Sequence, residues 1–287
     1  MTKLDELESV GSENMLRSLR SMLRRTESVQ EVLADVDSAQ GASAQGSTVS
    51  QVTPDQTLPV QQLVANKKDR VISLLALGVP INAVVDVGVQ RGTPELMEPL
   101  RERHHHLFEP VSLWYGDIEK NYSAIRNTLY PVALSDEIGS AWLIQTALLK
   151  DGVATHARIS EVPVIPDGQE IVSCEEIKVD RLDSYSDLLE KDYLLKVDVD
   201  GKDLEVLKGA SGCISNASVV IVEAHWAALT ARGKILEEYG FELIDIVDRV
   251  MYGQVLWQCD LVYLRNDLMN EKLRPPMFDP AHWHPLP

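Results

Sequence analysis

Two carboxylates stand at strand-to-loop junctions early in the chain, at a spacing that suits a nucleoside-bearing ligand. Val84-Val85-Asp86-Val87-Gly88-Val89-Gln90-Arg91-Gly92 reads as a buried strand running into a loop, with a helix opening near Pro94-Glu95-Leu96. Gly88 permits a tight turn where backbone must approach a ligand, and Gly92 permits close passage of the helix start. The spacing is GxxxG. Gln90 occupies the place where the second glycine of a dinucleotide loop would bring backbone against a pyrophosphate, which disfavours a nicotinamide-dependent oxidoreductase. Asp86 points the same way. A carboxylate there would repel phosphate but can receive, directly or through water, the ammonium of an amino-acid-bearing cofactor. Glu109 follows a second strand, His106-Leu107-Phe108, at 23 residues from Asp86. That is close to the separation of about 20 residues at which an acid reaches ribose hydroxyls in folds of this kind. A ligand with an ammonium, a ribose and no phosphate is S-adenosylmethionine, and Asp86, Gly88, Gly92 and Glu109 form its expected site.

A second group of polar residues lies further along. Tyr193-Leu194-Leu195-Lys196-Val197 reads as a buried strand that emerges into Asp198, Asp200 and Gly201, followed by an amphipathic helix ending at Gly209. Val219-Val222 is a further strand and runs into Glu223 and His225. Ligands of open α/β sheets bind beyond the carboxyl ends of the strands, which places Asp198, Asp200, Glu223 and His225 in one neighbourhood. His225 has the side chain best suited to general-base work near neutral pH, and its alternative role is to cap the helix that follows. Asp198 and Glu223 offer hard oxygen ligands to a divalent cation such as magnesium, which would polarise an acceptor hydroxyl. The alternative for Asp198 is an ion pair with Lys196, which shares its strand face. His104-His105-His106 has the residue types of a metal site, but adjacent side chains on a strand point to opposite faces, so the run reads instead as a solvated entry to the second strand.

The elements that must hold these residues alternate between strand and helix, which predicts a Rossmann-like α/β domain with a mainly parallel sheet. Strands are expected near Ala83-Val87, His106-Phe108, Tyr130-Leu134, Tyr193-Val197 and Val219-Val222, and helices over Asp203-Lys208 and Ala227-Glu238. Glu242-Val250 and Leu256-Leu264 flank a turn at Gly253 and predict an antiparallel last strand. Residues 138–180 form an insert with two further strand-like runs, Ala141-Thr146 and Glu170-Val179, expected near the acceptor mouth. The domain spans 61–265 and begins with a helix that Gly78 and Pro80 stop. Before it, residues 38–60 are a linker rich in Ser, Gln, Gly and Ala, and residues 1–37 carry apolar positions at helical spacing. That N-terminal helical extension either packs on the domain or docks a second copy or another partner, so a homo-oligomer is expected through it. Residues 266–287 are a proline-rich tail.

The formal charge of -17 argues against nonspecific binding to nucleic acid or anionic lipid, which needs basic patches. Apolar runs fall far short of the roughly 20 residues that span a bilayer, and the polar start lacks a signal-peptide core, so a cytoplasmic protein with no membrane span is expected. Cys174, Cys213 and Cys259 show no metal-knuckle spacing and read as buried thiols.

The stretch Lys196-Val197-Asp198-Val199-Asp200-Gly201, with its helix ending Leu207-Lys208-Gly209-Ala210, resembles the FkbM family of methyltransferases. Leu182-Asp183-Ser184-Tyr185, Val220-Ile221-Val222-Glu223 and Phe108-Glu109-Pro110 are also similar to that family, and the resemblance runs over about residues 80–265. It implies a class I methyltransferase fold, S-adenosylmethionine as cofactor, and O-methylation of a sugar, glycan or secondary metabolite. Carried over, it puts Asp86, Gly88 and Gly92 in the methionine-side loop and Glu109 on the ribose. Ala133 to Asp136 would border the adenine, with a solvated turn as the alternative for Asp136. Asp200 stands where the family more often has glutamate, which shortens the reach by one methylene. A different class stays open beside the enzyme: a catalytically silent scaffold that assembles a biosynthetic complex through its N-terminal helices.

Overall fold

The computed structural model describes residues 66–147, 156–160, 170–199, 201–270 and 273. The helices and linker expected within 1–60, Asp200 and most of the tail lie outside the described residues.

Strands that are buried on both faces read as near-continuous apolar runs. β1 (Ala83–Val87) and β8 (Tyr193–Val197) are such runs, buried throughout with one charged residue each, and β2 (His104–Phe108) is buried over its last four residues. The main sheet runs β10-β11-β9-β8-β1-β2-β3, with β3 at Asn127–Tyr130, β9 at Ala217–His225, β10 at Phe241–Tyr252 and β11 at Val255–Arg265. β3, β2, β1, β8 and β9 pair in parallel, and β11 pairs antiparallel with both β9 and β10. The antiparallel end expected from the Gly253 turn is present.

Two faces of this sheet are covered. On one, Val84, Leu194, Val219 and Val262 pack with Val71 and Leu74 of α1 (Lys67–Ala76) and with Leu96 of α2 (Pro94–Met97). On the other, Val85, Leu195, Val220 and Leu261 pack with Val206 and Leu207 of α4 (Asp203–Gly209) and Leu236 of α5 (Leu229–Glu238). α3 (Tyr115–Asn121) closes a smaller cluster with Leu107, Ile118 and Tyr122. Each such buried Leu or Val contributes on the order of 1.5–3 kcal/mol relative to exposure. α4 and α5 are further joined by a buried pair, Asp203 with Arg232.

The expected strand Tyr130–Leu134 is two elements. β3 ends at Tyr130 in the main sheet, and β4 (Ala133–Leu134) begins a second sheet of order β4-β7-β5-β6. Pro131 lies at the bend that separates them, where the Val132 N–H turns back to donate to the Tyr130 carbonyl at 2.9 Å. The insert supplies β5 (Gly139–Ala147), β6 (His156–Ser160) and β7 (Glu170–Asp180), of which β6 was not expected. The reading of His104–His106 as solvated also fails: His105 and His106 are 0% and 1% exposed, because β2 lies between β1 and β3.

Candidate active site

β1 delivers Asp86 into the interior, where its carboxylate is held from two sides. Thr93, at the N-cap position of α2, spends its hydroxyl on Asp86 Oδ2 at 2.7 Å instead of capping the helix. Lys196 Nζ lies 3.2 Å from Asp86 Oδ1 and 3.4 Å from Asp198 Oδ2, and donates to the Gly88 carbonyl at 2.8 Å. Parallel register sets this up, since Asp86 stands opposite Lys196 in the β1–β8 ladder. Burial favours a neutral amine, but the charges of Asp86 and Asp198 outweigh it and hold the Lys196 pKa above its ordinary value. Asp86 is fully buried, so its charge is spent on the shape of the loop.

The loop itself depends on left-handed backbone. Gly88 has φ +81°, and a Cβ on it would lie 1.9 Å from the backbone oxygen of Asp198. Gly92 has φ +135°, with the Tyr122 ring 3.3 Å from where its Cβ would be. Gln90 is left-handed too, at φ 50°, and its N–H donates to Glu109 Oε2 at 2.8 Å. Glu109 Oε1 accepts from the N–H of Val111, also at 2.8 Å. Burial raises the Glu109 pKa against the pull of these two N–H groups. A carboxylate can accept about four hydrogen bonds, so two acceptor positions remain beyond those used by Gln90 and Val111. Those acceptor positions fit the two hydroxyl donors of a ribose diol, and the two glycines fit a ligand that needs backbone at close range.

Ala133 is buried at the start of β4, and Asp136 accepts from the Ser135 hydroxyl at 3.2 Å in the turn that follows. This turn rests on the end of α4. A Cβ on Gly209 would lie 1.9 Å from the Ser135 carbonyl oxygen, so the glycine of Leu207-Lys208-Gly209-Ala210, the last residue of α4, is there for close approach.

Beyond β8 and β9 lie the remaining candidates. Val197 pairs with Val222, so Asp198 and Glu223 reach the same level on adjacent strands. The Asp198 side chain is 37% exposed, and its N–H donates to the Val87 carbonyl at 3.1 Å. Glu223 accepts from Gln258 at 2.7 Å. His225 shares the face of Glu223 by alternation and makes no capping bond to the helical turn after it. Its ring meets Trp257 edge-on at 4.4 Å and Trp226 at 5.7 Å. Opposite Glu223 on β11 is Asp260, paired with Lys67 of α1 at 2.7 Å.

Sequence reasoning found the Lys196–Asp198 contact but missed the reach of Lys196 to Asp86, which needs β1 and β8 to be neighbours. It also missed Thr93, the Asp203–Arg232 pair that steadies the loop through Val199 N–H to Asp203 Oδ1 at 3.3 Å, and the tryptophans around His225. Within Leu182-Asp183-Ser184-Tyr185 the work is structural. Asp183 Oδ1 accepts from Gly212 N–H at 2.9 Å and Cys213 N–H at 3.1 Å.

The sheet order, with its antiparallel last strand and a glycine loop after the central β1, defines a class I S-adenosylmethionine-dependent methyltransferase fold. The chain belongs to the FkbM methyltransferase family: the model of the methyltransferase FkbM domain matches residues 86–251, more than half of its length. Among solved structures it is similar to methyltransferase FkbM from Methylobacillus flagellatus KT, at 16% identity over 64% of this chain and 43% of that one, TM-score 0.41. It is also similar to magnesium protoporphyrin IX methyltransferase from Synechocystis PCC 6803 with bound S-adenosylmethionine, at 14% identity over 74% and 86%, TM-score 0.40. The chain spans less than half the length of the first of these proteins. A search of the curated proteins gives no significant match. Among the described residues no helix is long and apolar enough to cross a membrane.

Proposed function

We propose that the protein is an O-methyltransferase acting on a hydroxyl of a sugar, glycan or secondary metabolite. The observation that carries this reading is the approach of Gly88 to the Asp198 carbonyl, which joins the cofactor loop to the end of β8, whose neighbour β9 runs on into Glu223 and His225. S-adenosylmethionine supplies an electrophilic methyl group when bound. Glu109 would accept from the ribose hydroxyls, the backbone of Gly88 to Gly92 would line the methionine side, and Ala133 to Asp136 would border the adenine. Asp86 would act through Lys196 and Thr93 as a positioning residue, leaving the partly exposed Asp198 to receive the amino-acid ammonium.

In-line displacement draws most of its acceleration from alignment, so the residues around the acceptor matter mainly by holding one hydroxyl in place. His225 would take the hydroxyl proton as general base. Trp226 and Trp257 give the acceptor an apolar wall that suits the C–H face of a sugar ring. A magnesium ion at Asp198 and Glu223 would compete with their present partners, Lys196 and Gln258.

The test is calorimetric titration of the full chain with S-adenosylhomocysteine, wild type against Glu109→Ala, with and without magnesium. Binding by wild type that Glu109→Ala weakens by tenfold or more supports the cofactor site and opens an acceptor screen. Absence of binding under both conditions overturns the enzyme reading in favour of a scaffold.

A further inference from the structure

At the amino end of β2, opposite to the end that carries Glu109, three side chains converge that the methyltransferase reading does not use. His104 and His106 lie two apart on one strand and so project from the same face. Their ring centroids are 4.1 Å apart. Both rings turn a nitrogen toward Glu190, which sits in the connection leading into β8. His104 Nδ1 is 3.4 Å from Glu190 Oε1, and His106 Nε2 is 3.0 Å from Glu190 Oε2. The ligand atoms of the three residues all lie within 4.8 Å of one another.

We propose that His104, His106 and Glu190 form a binding site for a divalent transition cation, zinc above all, that ties the connection before β8 to the edge of β2. The first argument is distance. Bonds of about 2.0–2.1 Å from zinc to nitrogen or oxygen give a tetrahedron with edges of roughly 3.3 Å, and each ring nitrogen already lies at about that separation from one oxygen of the Glu190 carboxylate, His104 Nδ1 from Oε1 and His106 Nε2 from Oε2.

The second argument is the state of the other two ring nitrogens. A histidine that ligates a metal donates its remaining N–H to an oxygen, which fixes the tautomer and aims the lone pair. Both rings have such a partner, and both partners come from β3. His104 Nε2 is 2.9 Å from the Thr128 hydroxyl, and His106 Nδ1 is 3.1 Å from the Tyr130 hydroxyl. Each hydroxyl can accept from the ring, leaving His104 Nδ1 and His106 Nε2 as the atoms that face Glu190.

The third argument concerns chemistry and access. Two imidazoles and one carboxylate suit zinc and its neighbours better than magnesium or calcium, which prefer all-oxygen shells. The histidines are shielded, but the Glu190 side chain is 37% exposed, so a water can complete the shell from solvent. The site is remote from the cofactor loop. Five residue steps along β2 from His104 to Glu109 amount to roughly 16 Å. Its effect is therefore on stability: the ion would fasten β2 to a connection held elsewhere by Asn82, through bonds to the Asp192 and Lys191 carbonyls.

The experiment uses the full chain after chelator treatment and dialysis, titrated with zinc by calorimetry and with cobalt(II) by visible absorption. Wild type should bind one equivalent of zinc in this site, develop the intense visible bands of tetrahedral cobalt, and melt at a higher temperature with zinc. Glu190→Gln and His104→Gln should each weaken zinc binding at least tenfold and lose the cobalt bands. Unchanged S-adenosylhomocysteine binding by Glu190→Gln would show that this variant is folded. Zinc affinity and cobalt spectrum identical in wild type and both variants, or no zinc binding by wild type, would overturn the site and leave a histidine–carboxylate hydrogen-bond cluster.

Discussion

The two halves of the candidate active site are built in opposite ways. Around β1, β2 and β8, Asp86, Glu109 and Lys196 are buried and each has named partners within the protein. Around β9 and β11, large apolar side chains are exposed: Trp226 and Trp257 meet the His225 ring, and Tyr252 meets Trp257. The first half is over-determined, as suits a ligand that is always the same. The second offers surface with few fixed polar contacts, as suits an acceptor recognised by shape. The difference teaches where specificity would change with least cost to the fold.

The sharpest way to break the comparison is at the loop. Gly88→Ala puts a methyl group 1.9 Å from the Asp198 carbonyl on a left-handed backbone, so S-adenosylhomocysteine binding should be lost altogether. Calorimetry checks this, and wild-type affinity in that variant would show that the loop is not clamped to β8. On the other half, His225→Asn should lower kcat by about a hundredfold or more while leaving cofactor binding intact. Single-turnover kinetics with an acceptor found by screening would read it, and an unchanged kcat would remove His225 from the chemistry. Trp257→Ala should have the smallest effect, raising KM for the acceptor roughly tenfold, about the value of one aromatic contact, with kcat little altered. A KM that stays put would mean that the aromatic wall does not touch the acceptor.

Legibility in the sequence followed burial. β1 and β8 were readable to the residue because each is an apolar run broken by one charged residue, Asp86 or Lys196, and the loop after β1 was readable from its glycines. The stretch 130–134 was misread because apolar content was allowed to override Pro131, which lies at the bend after β3 ends at Tyr130. His104–His106 was misread because polarity was taken for exposure. Alternation correctly separated His105 from its neighbours, but the partners that bury the other two, Thr128, Tyr130 and Glu190, come from β3 and from a segment 84 residues away. Asp86 shows the same limit at the site. Its residue type suggested a cofactor contact, whereas the cross-strand lysine that engages it belongs to a ladder that no single strand reveals.

The burial of Lys196 between two carboxylates also bears on ionic strength. Mobile salt screens charges only where ions can reach them, and the Debye length of about 8 Å at physiological salt describes solvent, not the interior of a sheet. Lys196 and Asp86 are 4% and 0% exposed, so dissolved ions have no path to the contact. A brine that dissolves the surface pairs, such as Arg91 with Asp117, should leave the loop in its binding shape. S-adenosylhomocysteine affinity measured from low salt to molar salt should therefore fall only through screening of the partly exposed Asp198, and a steep fall that persists in Asp198→Asn would place solvent at Lys196.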